Sequence, residues 1–150
     1  MKENFKSIYI VKKRNILHGG QRLNFKLSKP LLSIITVVLN GEKHLEETIK
    51  SVLKQKKSFE YILIDGQSND NSLKIIKKYS NKISYWSSEK DKGLYDAFNK
   101  GMKLAQGKYI GIINSDDVYT NKAFDIVHKY ITKNPQADFI FGSVKKHWGI

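Results

Sequence analysis

Cysteine is absent from this 150-residue chain, which excludes disulfides, thiolate metal sites and cysteine nucleophiles. Arginine is nearly absent: among 27 basic residues only Arg14 and Arg22 are arginines. The guanidinium fork does most of the bidentate reading of base edges, so a formal net charge of +13 argues poorly for sequence-specific nucleic-acid binding, and no nucleic-acid partner is expected. Long apolar runs are missing too. The longest near-apolar stretch, LLSIITVVL at 31–39, is about half of what crosses a bilayer. The stretch from Ile8 to Val11 is too short for a signal-peptide core. Neither a dinucleotide fingerprint, a P-loop nor a G-x-S-x-G nucleophile elbow occurs. His18, His44, His128 and His147 show no ligand spacing.

What is present is a regular alternation. Residues 1–30 read as a basic leader with a turn signal at HGGQ and a stop at Pro30, and 31–150 as one domain. Strands are predicted over 31–38, 59–65, 82–88, 108–114 and 138–144. Helices are predicted over 42–55, 69–80, 93–107 and 121–134. The first helix carries Leu45, Ile49, Val52 and Leu53 on one stripe; the third turns Leu94, Ala97, Phe98, Met102 and Ala105 inward. Strand–helix alternation of this kind specifies an α/β fold, a mostly parallel sheet with helices on both faces. Ligands of such sheets sit beyond the carboxyl ends of the strands, where the strand order reverses.

That rule gives meaning to the polar residues. The first strand ends in TVVLNG, the second in DGQSND and the fourth in NSDD. If the order is third, second, first, fourth, then Thr36, Asn40, Asp65, Asp116 and Asp117 gather at one rim. Two carboxylates about 4 Å apart repel by roughly 4 kcal/mol at an effective dielectric near 20, and a hard divalent cation, Mg2+ or Mn2+, would relieve this. Asp116 and Asp117 read equally as caps of the following turn. Asp65 reads as a turn former before Gly66 or as an acceptor for a ligand N–H. Asp70 reads as a helix N-cap, and Gly93 as a tight turn whose helix amides can meet a phosphate. Asp96 and Asn99 lie three apart on one face, where the dipole and solvent alone would also accommodate them.

Together the segments SIITVVLNGEKHLEETIKSVLKQ, EYILIDGQSNDNS, EKDKGLYDAFNKGMKLAQGKYIGIINSDD and DFIFGS resemble the family-2 glycosyltransferases, enzymes of the Rossmann-like GT-A fold that use nucleotide-activated sugars. GGQR at 19–22 is similar to a Gly-Gly-x-Arg found upstream in bacterial polysaccharide-building members. The resemblance implies a uridine or thymidine diphospho-sugar donor, a divalent metal, and transfer with inversion to a polysaccharide or lipid-linked acceptor. It implies that Thr36, Val38 and Asn40 line the nucleotide pocket, largely through backbone, and that Asp65 accepts the N3–H of uracil. Gly93, Asp96 and Asn99 would border the sugar and phosphates, and Lys92 either adds charge nearby or is solvated. Asp116 would contact ribose or sugar beside the metal, and Asp117 would coordinate the ion that bridges the diphosphate.

The chain departs from that pattern in two ways. The first metal-motif carboxylate is Asn114, and the general base expected well beyond the metal motif is not found. Only 33 residues follow Asp117, and their acids are Asp125 and Asp138. The catalytic base is therefore unassigned and the acceptor-binding half is expected to be missing. A binding module incapable of turnover, a fragment, or a subunit completed by a partner chain or dimer is the alternative expectation. A cytoplasmic location is expected, and the lysine-rich surface suggests peripheral contact with the anionic inner face of the membrane.

Overall fold

The computed structural model describes residues 16–23 and 30–143. Its elements in chain order are β1 (Leu17–Gly19), β2 (Leu32–Val38), α1 (Leu45–Leu53), β3 (Phe59–Asp65), α2 (Ser72–Lys78), β4 (Tyr85–Ser88), α3 (Leu94–Leu104), β5 (Tyr109–Ile112) and α4 (Ala123–Lys133), with one 3-10 turn at Gln21–Leu23. The sheet order is β1-β4-β3-β2-β5. β4, β3, β2 and β5 run parallel, in the order expected from the sequence. The fold is thus the Rossmann-like α/β arrangement. No helix among the described residues is long and apolar enough to cross a membrane.

β2 and β3 are apolar on both faces because both faces are covered. Ile34, Val38, Tyr61 and Leu63 pack with Leu45, Ile49 and Val52 of α1, Ile76 of α2 and Phe124 of α4. On the other face Ile35, Val37, Ile62 and Ile64 meet Ala97 of α3. The α1 stripe is as expected, with Leu53 at its half-buried margin.

Three expectations need correction. On α3 a stripe through Ala97 and Gly101 faces the sheet. Leu94, in the first turn at the rim, is 56% exposed, and Met102, about 100° round from Gly101, is 40% exposed. Residues 138–143 form no strand. Their alternation is strand-like, with Ile140 against the core and Phe139 and Phe141 exposed. A strand exists only where a neighbour accepts its ladder, and no described strand pairs with them. Finally, part of the segment read as leader belongs to the sheet: β1 pairs antiparallel with β4. Residues 1–15 and 24–29, and Val144 at the end of the last predicted strand, lie outside the described residues.

Arg22, just after β1, explains why this segment is held. Its Nη2 pairs with Oε1 of Glu60, which is 2% exposed, and its Nη1 donates to the carbonyl of Leu104 at 2.9 Å. The other oxygen of Glu60 accepts from Ser33 Oγ at 2.6 Å and from the Gln106 amide at 2.9 Å. One buried carboxylate therefore joins β1, β2, β3 and the end of α3. Removing its guanidinium leaves a buried charge uncompensated. Arg22→Ala is expected to lower the unfolding free energy by about 3 kcal/mol or more, and Arg22→Lys to recover only part, because ammonium lacks the fork. Urea unfolding of the three proteins is the check; a loss well under 1 kcal/mol for Arg22→Ala would refute the assignment.

On the α1–α2 side Glu46 accepts from Lys78 Nζ at 2.8 Å and Tyr79 Oη at 2.6 Å, with Lys50 Nζ at 3.2 Å. The bond from Lys78, then those from Tyr79 and Lys50, pull its pKa down from 4.5 to about 2. An acid depressed in the folded state contributes stability above its unfolded pKa, and that contribution disappears as pH falls through the folded value. Stability should decline between about pH 4.5 and pH 2, less steeply in Glu46→Gln. An NMR titration midpoint for Glu46 at or above 4.5 would contradict this.

Candidate functional site

The carboxyl ends of the four parallel strands form one rim, and its loops are tied together by side chains. After β2 the chain turns through Asn40, whose φ of 56° is left-handed, a conformation asparagine tolerates. The Asn40 amide donates to Ser68 Oγ at 2.8 Å, and its side-chain oxygen accepts from the Asn69 amide at 2.9 Å. The Gly41 amide donates to Ser72 Oγ and the Glu42 amide to Asp70 Oδ2. Glu42 in turn accepts from the backbone and side-chain amides of Asn71. Asp70, read from sequence as a cap, is a bridge one residue before the N-cap Asn71: it also accepts from the Ser72 amide that opens α2. Burial pushes its pKa up, but the bonds from Ser72 and Glu42 outweigh this and hold it down.

Asp65 ends β3 and is fully buried. Its Oδ1 accepts from the amide and hydroxyl of Ser68, and its Oδ2 from Ser88 Oγ at 2.6 Å. The carboxylate thereby fixes the first turn after β3 and the end of β4. Thr36 lies two residues inside β2, fully buried, with its hydroxyl 3.1 Å from Tyr61 Oη. Val38 is buried as well, and its carbonyl accepts from the Gly66 amide at 2.9 Å.

Gly93 adopts φ 113° immediately before α3, a region that disfavours any side chain. The Gly93 amide donates to Asp91 Oδ1 and the Lys92 amide to Asp96 Oδ2. Lys100 lies 3.3 Å from both Asp96 and Glu89. Chiefly the Lys92 amide, against a burial penalty and with help from Lys100, holds the Asp96 pKa down. Asp96 thus shapes the turn. Asn99 and Lys92 are exposed.

Asp116 and Asp117 are exposed in the turn after β5. Asn114 Nδ2 donates to Asp117 Oδ2 at 3.0 Å, and the Asp117 amide to the Asn114 carbonyl. The buried Thr48 of α1 places its hydroxyl 2.9 Å from the Ser115 carbonyl and 2.8 Å from that of Asp117. One hydroxyl proton is shared between two carbonyls, so the turn is pinned to the helix that leaves β2. Among the described residues no three His, Asp, Glu or Cys side chains form a metal cage. The adjacent carboxylates fit a cation that completes its shell with ligand phosphates and water, the usual habit of Mg2+.

The rim therefore brings together Val38, Asn40, Asp65, Gly93, Asp96 and the Asp116–Asp117 turn, while the Thr36 side chain stays in the core. Sequence reasoning missed Thr48, Ser68, Ser88 and Asp91. Ser68 had a signal, since a serine three residues after an aspartate is a common turn partner. Thr48 showed only as a hydroxyl on an otherwise apolar helix stripe.

Comparison with known proteins agrees with this architecture. Residues 33–149 match the model of glycosyl transferase family 2. An uncharacterized glycosyltransferase of Methanocaldococcus jannaschii is 34% identical over 125 residues, covering 79% of this chain and 43% of that protein. The poly(ribitol-phosphate) beta-N-acetylglucosaminyltransferase TarP of Staphylococcus aureus is 32% identical over 117 residues, covering 74% of this chain and 36% of its own length. The crystal structure of S. aureus TarS 1-349 in complex with UDP-GlcNAc superposes with a TM-score of 0.63 at 26% identity, covering 69% of this chain and 32% of that one. The chain belongs to glycosyl transferase family 2, a family of glycosyl-transferring enzymes, and has the GT-A fold. It spans less than half the length of these relatives.

Thr48→Val, which keeps the shape and removes the hydroxyl, is expected to cost about 1–3 kcal/mol. It should also raise amide exchange across 113–117. Unchanged exchange there would show that Thr48 does not hold the turn.

Proposed function

We propose that this chain holds a nucleoside-diphosphate sugar, a uridine one, at the rim and takes part in moving its sugar, with inversion, to a saccharide or lipid-linked acceptor of cell-envelope type. The carrying observation is the exposed Asp116–Asp117 pair, fixed by Thr48 at the carboxyl end of β5 beside the laced loops of β2 and β3. Asp117 and Asp116 would hold Mg2+ or Mn2+ against the diphosphate. When bound, the cation supplies Lewis-acid stabilisation of the departing nucleoside diphosphate. The chain's own part is positional. Val38 and Asn40 set the floor through backbone, Asp65 orders the loop above it, and Gly93, Asp96 and Asn99 border the sugar and phosphate region. The UDP-GlcNAc complex of TarS and the acceptor in the name of TarP support a uridine donor and a polymeric acceptor of polyol-phosphate or saccharide chemistry.

A second reading, donor binding without turnover by this chain alone, is favoured by the acids that follow the pair. Asp125 lies on α4, 3.9 Å from Lys57 Nζ, and Asp138 is exposed beyond that helix; neither lies in a loop that directly follows a parallel strand. A partner chain or dimer would then complete the site. The +13 charge supports peripheral association with the anionic cytoplasmic face of a membrane.

Titration of UDP in the presence of Mn2+, alongside a sugar-transfer assay, tests both readings. Asp117→Ala is expected to weaken metal-dependent UDP binding on the order of 10–100-fold, with transfer lost in parallel if the chain turns over. Equal binding in Asp117→Ala and the parent would refute the metal role; binding without transfer would establish the second reading.

A further inference from the structure

We infer that the end of the sheet opposite the rim is a docking face for an anionic lipid bilayer, which leaves the rim turned away from the membrane. The inference rests on the peripheral association proposed above and names the surface that makes it.

The chain sorts its charges by connection. Each loop that leaves a parallel strand carries acid: Glu42 after β2, Asp70 after β3, Glu89 and Asp91 after β4, Asp116 and Asp117 after β5. The stretches that lead back into β3, β4 and β5, residues 48–58, 71–84 and 97–108, contain no Asp or Glu. Because β2, β3, β4 and β5 run parallel, α1, α2 and α3 all return the chain to the same end. Charges that alternate along the sequence are therefore separated in space, acids at the carboxyl ends of the strands and lysines at the amino ends.

Six exposed lysines mark the amino end: Lys54, Lys56 and Lys57 before β3, Lys82 before β4, and Lys103 and Lys108 before β5. Among the described residues only Lys57 has an acid near it, Asp125 at 3.9 Å. Glu60, near the start of β3, adds no surface charge, being buried against Arg22. Lysine near a helix carboxyl end complements the macrodipole, but that effect fades within the last turn. Lys56, Lys82 and Lys108 stand three or four residues beyond α1, α2 and α3, so the helices do not account for them.

The chemistry of the face selects its partner. Ammonium groups are compact point charges that need no fixed geometry, which suits a fluid layer of headgroup phosphates. The guanidinium of Arg22 is spent on Glu60, so the face offers no fork for reading bases. The rim acids add direction, because an anionic surface repels them. The seven residues of β2 or β3, at about 3.3 Å each, hold the rim well over one Debye length, about 8 Å, from the headgroups. It stays open to a water-soluble nucleotide sugar.

The test is co-sedimentation of the full chain at physiological salt with vesicles of equal parts phosphatidylglycerol and phosphatidylcholine, and with phosphatidylcholine alone. The parent is expected to bind only the anionic vesicles. The triple variant Lys54→Gln, Lys56→Gln, Lys82→Gln should lose about 100-fold in partitioning, near fivefold per lysine. Lys43→Gln, Lys74→Gln, Lys90→Gln removes the same charge from the rim end and should bind nearly as the parent does. The chain has no cysteine, so Ser58→Cys and His44→Cys each accept one environment-sensitive dye; anionic vesicles should shift the emission at 58 and not at 44. Equal losses in the two triple variants, or equal shifts at the two dyes, overturn the docking face and leave charge-driven association standing. Release of the parent by a soluble polyanion at equal phosphate concentration assigns the face to a polymer and overturns the bilayer. If the parent ignores anionic vesicles, the association reading fails and this inference with it, while UDP titration still judges the donor site separately.

Discussion

The structure depends on the position of β2. It is the strand at which the order reverses: the chain passes from it through β3 to β4 on one side and returns to β5 on the other. The connections to those neighbours cross opposite faces of the sheet, so the loops at their carboxyl ends diverge and open a crevice. β2 is buried along its whole length, and its polar atoms are committed within the sheet or, for Ser33 and Thr36, to Glu60 and Tyr61. A rigid central strand is what lets residues far apart in the chain hold fixed positions at one rim.

Two polar assemblies hold the ends of this frame, and they differ in kind. At the amino-terminal end of the strands, Glu60 and Arg22 form a buried ion pair that gathers β1, β2, β3 and α3. A buried pair adds little net stability over a hydrophobic replacement, but it penalises any arrangement that separates its members. At the carboxyl-terminal end the donors are neutral hydroxyls and amides, and their acceptors include the hydroxyls of Ser68 and Ser72 and the carboxylates of Asp65, Asp70 and Glu42. Neutral donors bring no positive charge to the loops, so those carboxylates are held by hydrogen bonds rather than by ion pairs.

How far the sequence reveals this differs by element. The parallel order, the helices and the rim were legible because burial on two faces forces continuous apolar runs in β2 and β3, and because helix stripes repeat at a fixed period. The strand-like 138–143 segment misled for a physical reason: alternation records which residues are apolar, whereas a ladder needs a neighbour. β1 was illegible because three residues, two of them exposed, carry no pattern. The site was half legible. Asp116 and Asp117 stand out as like charges in a basic chain, but whether Asp65 faces a ligand or a serine depends on Ser88, 23 residues away on another strand.

That last point separates the acids of the rim into distinct roles. A carboxylate that already accepts several hydrogen bonds is a structural acceptor, and its charge is compensated in place. Asp65, Asp70 and Asp96 are of this sort, each tied to backbone amides or hydroxyls of its own rim loops. Among the described residues, no hydrogen bond reaches the carboxylate of Asp116 or Oδ2 of Asp91, and the Asp117 carboxylate receives only the Asn114 side-chain amide. Even in a chain of formal net charge +13, like charges left adjacent and incompletely compensated cost free energy unless something else completes them. The degree of compensation, more than the presence of an acid, therefore distinguishes residues that build the rim from those that remain available to a ligand.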